Sequence, residues 1–256
     1  MLRKEYLSIN KDDLKNPIVI VGLPGIGLVG KLAVDAIIEY CKPKKIADLY
    51  PFDFPPRVVV DSKGTPKAIK VSIYLWKRKN AENDVFLITS DAQPYSIEGQ
   101  YKFANELIEY IKQFGINLVI ACAASVTPII TGDPKVHVTT ANEQLMKKFL
   151  NHPLSVPFKN GVISGGNGLI PVLASELHGI DGICLLAETR GIGDQIDPKA
   201  SKSIVRVLND LFNLNVDLSN LDKKIAILEK ERKALEREVT PREKGPSEEG
   251  PQSYIS

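Results

Sequence analysis

Glycines in the stretch Pro17–Lys31, PIVIVGLPGIGLVGK, stand where a nucleotide phosphate could be held. Gly25-Ile-Gly27-Leu-Val-Gly30 fits the dinucleotide fingerprint, whose glycines permit a tight turn and a close backbone approach to a pyrophosphate. That fingerprint also asks for an acidic residue about 20 positions on, to meet the ribose hydroxyls. Asp48 lies near that distance, but it precedes Leu49-Tyr-Pro and follows no clear apolar strand. The same residues read as Gly25-x-x-x-x-Gly30-Lys31, most of a P-loop. Leu32 then stands where a serine or threonine hydroxyl would hold magnesium, so phosphoryl transfer lacks one of its parts. Two readings remain: a non-hydrolytic phosphate or nucleotide site, or glycines that let a helix pack tightly on a sheet.

Two further clusters fall between apolar runs. Ser164-Gly-Gly-Asn167-Gly168 is one, and Ala187-Glu188-Thr-Arg190-Gly-Ile-Gly-Asp194 is the other. With Asp91 they lie after strands, where open α/β sheets place their ligands. Glu188, Arg190 and Asp194 could serve a phosphorylase-like or hydrolase-like site, or form an ion-paired loop at the rim of an oligomer. The candidate ligand-binding set is therefore Gly25, Gly27, Gly30, Asn167, Glu188 and Arg190, with no catalytic residue assigned. Metal chemistry finds no support, because His137, His152 and His178 are isolated and neither H-E-x-x-H nor C-x-x-C occurs. A G-x-S-x-G elbow is also missing, so a hydrolase triad has no anchor. No cofactor is expected.

These residues must be carried by an alternation of strands and helices. Ile18–Val21, Val85–Thr89, Leu118–Ala123 and Gly182–Ala187 are continuously apolar, as strands covered on both faces are. A further strand is read at Gly161–Ser164, and strands about a proline-rich bend between 46 and 76 should add antiparallel pairing. Helical spacing runs from Val29 to before Pro43, and again through Ile97, Tyr101, Ala104, Ile108 and Ile111 to a cap at Gly115. Thr140-Ala-Asn-Glu143 reads as a capping box opening a helix to about Leu150, and another helix runs from Leu169 to His178. Asp197-Pro198 starts the last helix of the globular part. The expected fold is an α/β domain over residues 1–216, with a mainly parallel sheet flanked by helices.

Composition changes after residue 216. Leu218, Leu221, Ile225, Leu228, Leu235 and Val239 follow a 3-4 spacing with charges between them, which predicts a coiled-coil-like helix over 217–239 and self-association. In a parallel pair Asp217 would face Asp222 and Glu231 would face Glu236, so an antiparallel or higher-order bundle fits at least as well. Residues 240–256, TPREKGPSEEGPQSYIS, are too polar and too rich in proline and glycine to order themselves, and read as a flexible tail. Tyr254, Ile255 and Ser256 end it with an aromatic and an aliphatic beside the terminal carboxylate, the makings of a docking peptide.

A net charge of +2 suggests no nucleic-acid partner, and no apolar run approaches membrane-spanning length. Three widely spaced cysteines and no leader-like segment place the chain, as an expectation, in the cytoplasm.

The glycine turn, Ser164-Gly-Gly-Asn-Gly168 and Leu185-Leu-Ala-Glu-Thr-Arg-Gly191, in that order, resemble the proteasome assembly chaperone family. The match is to its archaeal members, related to the second subunit of the eukaryotic chaperone, and covers about residues 17–213. The resemblance implies a nucleoside-phosphorylase-like α/β fold, homo-oligomerisation and no established catalytic residues. In some archaeal members a tail ending in hydrophobic-tyrosine-any enters pockets between α-subunits of the 20S proteasome. Here Tyr254 is third from the end, one place earlier than that motif has it. The expected partners are 20S α-subunits, further copies of this chain and another protein of its own family. A nucleotide- or nucleoside-binding enzyme or sensor, and a scaffold assembling within its own family, are the alternatives.

Overall fold

The computed structural model describes residues 1–191 and 195–239, with side chains through Glu231. Along the chain come β1 (Leu2–Glu5), β2 (Ile18–Gly22), α1 (Val29–Cys41), β3 (Lys44–Tyr50), β4 (Val58–Val60), β5 (Pro66–Ala68) and β6 (Val71–Trp76). There follow β7 (Val85–Ser90), α2 (Ile97–Lys112), β8 (Leu118–Val126), β9 (Val136–Thr140), α3 (Glu143–Leu150) and β10 (Ser155–Pro157). The last elements are α4 (Gly166–His178), β11 (Asp181–Thr189), α5 (Pro198–Phe212) and α6 (Ser219–Val239).

Nine strands form one sheet in the order β1-β3-β6-β7-β2-β8-β11-β9-β10, while β4 and β5 pair only with each other. The central strands β7, β2, β8 and β11 run parallel. On one side β6, β3 and β1 are added antiparallel, and on the other β9 runs antiparallel to β11 with β10 parallel to β9. The sheet is therefore mixed, which corrects the expectation of a mainly parallel one. Of the four parallel strands only β7 and β8 are consecutive, joined by the crossover helix α2; β6 to β7 and β8 to β9 are connected without a helix, and there the chain reverses direction.

Alternation along the central strands builds two cores. Ile18 and Ile20 of β2 and Ile120 and Cys122 of β8 face α1, α3 and α5; Val19, Val21, Val119 and Ala121 face α2 and α4. All of these are buried, so the sheet is covered on both faces, as the continuously apolar strands require.

Helix ends follow from local chemistry. Asp197 accepts the Ala200 N–H at 2.9 Å with Pro198 at the first helical position, as the sequence indicates. At α3 the cap is Asn142, not Thr140: Asn142 Oδ1 accepts from Gln144 N and Leu145 N, while Thr140 Oγ1 accepts from Asn142 N and steadies the cap. Gly115, at φ +70°, turns the chain out of α2. In α2 the buried stripe runs through Phe103, Ala104, Leu107, Ile108 and Ile111, whereas Ile97 and Tyr101 are exposed. Phe103, with its ring 5.9 Å from that of Phe54, takes the core-facing position that sets the helix's rotation.

Residues 161–164 form no strand. The strand lies earlier, at Ser155–Pro157, and Phe158 ends it by donating its N–H to Val138 O. The Phe158 ring then sits so close to Gly161 that an added Cβ would lie 2.3 Å from it, and the chain turns away from the sheet.

α6 begins on the domain itself. Leu221 is 1% exposed within the core that α1 and α5 build, and Leu218 packs against that core. Asp222 pairs with Lys202 of α5, and Lys224 reaches Glu39 of α1 at 4.0 Å. Leu218 and Leu221, expected on an oligomerisation stripe, are thus taken by the chain's own core. Ile225 and Leu228 stay half-buried along the same helix. The side chains of Leu235 and Val239, the residue Asp194, and the tail with Tyr254, Ile255 and Ser256 lie outside the described residues.

Candidate functional site

The loops after the parallel strands meet above the C-terminal edge of the sheet, the place where such sheets hold ligands. After β2 the chain passes through a single 3-10 turn at Ile26–Leu28 and enters α1 at Val29. Gly27 has φ +60° and Leu28 φ +49°, so two successive residues are left-handed, and only the first is relieved by lacking a Cβ.

Several carbonyls of this turn, and the N–H groups of Leu23 and Leu28, are engaged from within the protein. Asn167, at the start of α4, accepts the Leu23 N–H at 3.0 Å and donates its amide to Leu23 O at 3.1 Å. Gln93, in the loop after β7, donates to Pro24 O at 2.5 Å and accepts the Gly166 N–H at 2.7 Å. Leu28 N donates to Gly25 O, and Asp197 N donates to Gly27 O at 2.8 Å. Ser201 Oγ donates to Val29 O at 3.0 Å. Asp197 also accepts from Thr189 Oγ1 at 2.7 Å, tying in the loop after β11. The arrangement is a clasp that joins four loops through buried and half-buried hydrogen bonds, and Asn167, whose bonds to Leu23 are buried, is its centre.

Gly30 has a packing role. A Cβ there would lie 2.0 Å from Cys122 O of β8, so α1 can rest on the sheet only with glycine at this position. On the other face Gly182 of β11 does the same for α4, where a Cβ would lie 1.8 Å from Pro171 O. Gly25 is different: its φ of −162° is extended backbone that any residue adopts, and its Cβ would meet only Asn167 Nδ2 at 3.9 Å.

The other groups of the phosphate-binding readings are dispersed. Lys31 pairs with Asp35 at 3.0 Å and donates to Thr89 Oγ1 at 3.2 Å, one turn into α1. Asp48 lies on β3, three strands from β2, where a dinucleotide fold would need it on a neighbouring strand. It is fully buried among Lys45 at 2.6 Å, Lys70 at 2.7 Å, Tyr6 at 2.7 Å and Ser72 at 2.9 Å. Burial would raise its carboxyl, but the two lysines, with Tyr6 and Ser72, outweigh that and hold it at about 2. The same hydrogen bond to Asp48, with burial, pushes the Tyr6 phenol up.

Glu188 turns to the sheet edge, accepting the Lys135 N–H at 2.9 Å and reaching His137 Nε2 at 3.4 Å. Arg190 is exposed. The structure therefore brings Gly25, Gly27 and Asn167 into one clasp, gives Gly30 to packing against β8, and leaves Glu188 and Arg190 outside. Gln93 and Ser201 belong to the clasp and carried no sequence signal beyond lying near strand ends or helix starts. Among the described residues no group of three or more His, Cys, Asp or Glu is placed to hold a metal ion, and no helix is long and apolar enough to cross a membrane. Cys122 and Cys184 are free and buried, and burial raises both thiols.

A model of the PAC2 family matches residues 19–236, which takes in the whole clasp and most of α6. The chain belongs to the PAC2 family. The resemblance read from the glycine turn and the two later clusters holds. Among PAC2-like structures, PbaB of Pyrococcus furiosus, an archaeal proteasome activator, superposes with a TM-score of 0.85 at 28% identity, covering 92% of this chain and 98% of PbaB. PbaA of the same organism, an archaeal homolog of proteasome-assembly chaperone, gives a TM-score of 0.74 at 24% identity over 93% of this chain and 92% of PbaA, a likeness of fold. The uncharacterized protein MJ1210 of Methanocaldococcus jannaschii is 32% identical over 213 residues, 83% of this chain and 80% of its own length.

Proposed function

We propose that this PAC2 chain is a non-enzymatic partner of the 20S proteasome, an assembly chaperone or activator that works as a homo-oligomer and docks on the α-ring through its C-terminal tail. The observation that carries this reading is the likeness to PbaB, at 28% identity and along nearly the full length of both chains. Lys31 supports the non-enzymatic part: the lysine that a P-loop would turn to phosphate is paired with Asp35 and bound to Thr89.

With Leu218 and Leu221 held by the domain, self-association would use the rest of the sequence stripe, the half-buried Ile225 and Leu228 followed by Leu235 and Val239. An oligomer built this way presents several tails together. A short peptide that binds weakly alone gains by orders of magnitude when several engage one ring. Tyr254 and Ile255 supply the apolar groups and Ser256 the terminal carboxylate.

The test is co-elution of the full chain with 20S proteasome and with isolated α-rings. Binding by the full chain, lost on deletion of residues 250–256, is the expected result. Co-elution unchanged by the deletion overturns tail docking, and no co-elution of the full chain overturns the proteasome role.

A further inference from the structure

The hairpin of β4 and β5 stands apart from the nine-stranded sheet. All six of its strand residues are exposed, and Val58, Val59 and Val60 are 63%, 54% and 58% exposed. A two-stranded ribbon with no buried face is marginal in water on its own. Three β-branched residues in a row on such a ribbon form an edge that invites pairing.

The hydrogen-bond register says which edge is open. Asp61 N donates to Thr65 O, and Gly64, at φ +79°, closes the turn by donating to Asp61 O. With Val59 opposite Lys67, the residues bonded across the hairpin are 59, 61, 65 and 67. Val58 and Val60, opposite Ala68 and Pro66, therefore direct their N–H and C=O groups outward. On the β5 side Pro66 has no N–H to offer and closes that edge. Only β4 presents a complete set of free backbone groups.

We propose that β4 pairs with β4 of a second copy of this chain, antiparallel about a two-fold axis at Val59. In that register Val58 and Val60 of each copy exchange backbone hydrogen bonds, giving four across the axis. Charge complementarity favours a second copy as the occupant. The two-fold places Arg57 opposite Asp61 of the other copy at both ends of the pair. Within its own chain Asp61 is bound to Lys67 at 2.9 Å and accepts N–H groups of Lys63 and Thr65, so it is fixed in place. Val58 meets Val60 on one face and Val59 meets Val59 on the other, β-branched pairs of the kind that stabilise sheets. A two-fold contact closes on itself, so this edge joins copies in twos and leaves α6 free for the separate association proposed above.

The test uses the full chain carrying Val59→Cys. Facing residues at a non-hydrogen-bonded antiparallel position have Cα atoms about 4.5 Å apart, within the range a disulfide spans. Under mild oxidation this variant should form a covalent dimer and nothing larger, about tenfold or more faster than Val172→Cys, an exposed position on α4. Adding Val60→Pro removes an outward N–H while keeping the bonds within the hairpin, and adding Arg57→Glu sets like charges opposite each other. Each should return cross-linking to the Val172→Cys rate. Cross-linking no faster than at Val172, which a different protein on this edge would also produce, overturns the proposal. So does cross-linking that neither added change slows. Co-elution with 20S proteasome is read separately on the same variants, so loss of either result does not imply loss of the other.

Discussion

Replacing Gly30 by alanine separates a packing glycine from a phosphate-binding one. The added Cβ would lie 2.0 Å from Cys122 O and 2.7 Å from Cys122 C, whereas real Cβ contacts do not fall below 3.0 Å. The obstacle is backbone in the middle of a buried strand, so α1 has to move away from β8 by about 1 Å, an overpacking change that costs roughly 3 kcal/mol, at the upper end of its class. For a chain of this size that is a fall of roughly 6–12 °C in Tm. Gly25→Ala is the matched control, because its Cβ meets only Asn167 Nδ2 at ordinary contact distance and its backbone is extended. It should cost no more than about 0.5 kcal/mol. Thermal unfolding followed by circular dichroism, in the absence and presence of nucleotides, reads both. A Gly30→Ala variant within 2 °C of the parent would refute the packing argument. Stabilisation of the parent by a nucleotide, lost in Gly25→Ala, would restore the phosphate cradle.

Asp48 makes stability depend on acidity. Its carboxyl is lower in the folded state than the ordinary value of about 3.9, so it contributes stability above that value and loses the contribution as pH falls through about 2. Asp48→Asn should remove on the order of 2 kcal/mol at neutral pH and flatten the dependence between pH 4 and 2, measured by urea unfolding at fixed m. Leu221→Ala should lower Tm by an amount that does not vary with protein concentration, at a cost of about 2–4 kcal/mol for a buried leucine. A concentration-dependent effect instead would place Leu221 at an interface between copies.

The strands and helices that build the clasp were legible because each carries a local signal. Ile18–Val21 is apolar without interruption, Asp197-Pro198 is a cap followed by proline, and Gly115 sits where a left-handed residue ends α2. Weak local signals misled. Gly161–Ser164 resembled a strand, yet the strand is Ser155–Pro157, where pairing with β9 decides the matter. The outer strands β1, β9 and β10 are short or polar, so their periodicity says little and only their neighbours define them.

Sequence alone determined the α/β class, the strand-turn-helix at Pro17–Lys31, the amphipathic stripe after residue 217 and the family, because buried strands, caps and heptads are properties of consecutive residues. Tertiary structure decided what those residues do. Asn167 meets Leu23 from 144 positions away, Asp48 of β3 finds Lys70 just before β6, and Leu221 turns inward onto the domain. Whether a glycine cradles a phosphate or lets a helix touch a sheet depends on the carbonyl standing opposite it, and for Gly30 that carbonyl belongs to Cys122, placed there by the order of strands in the sheet.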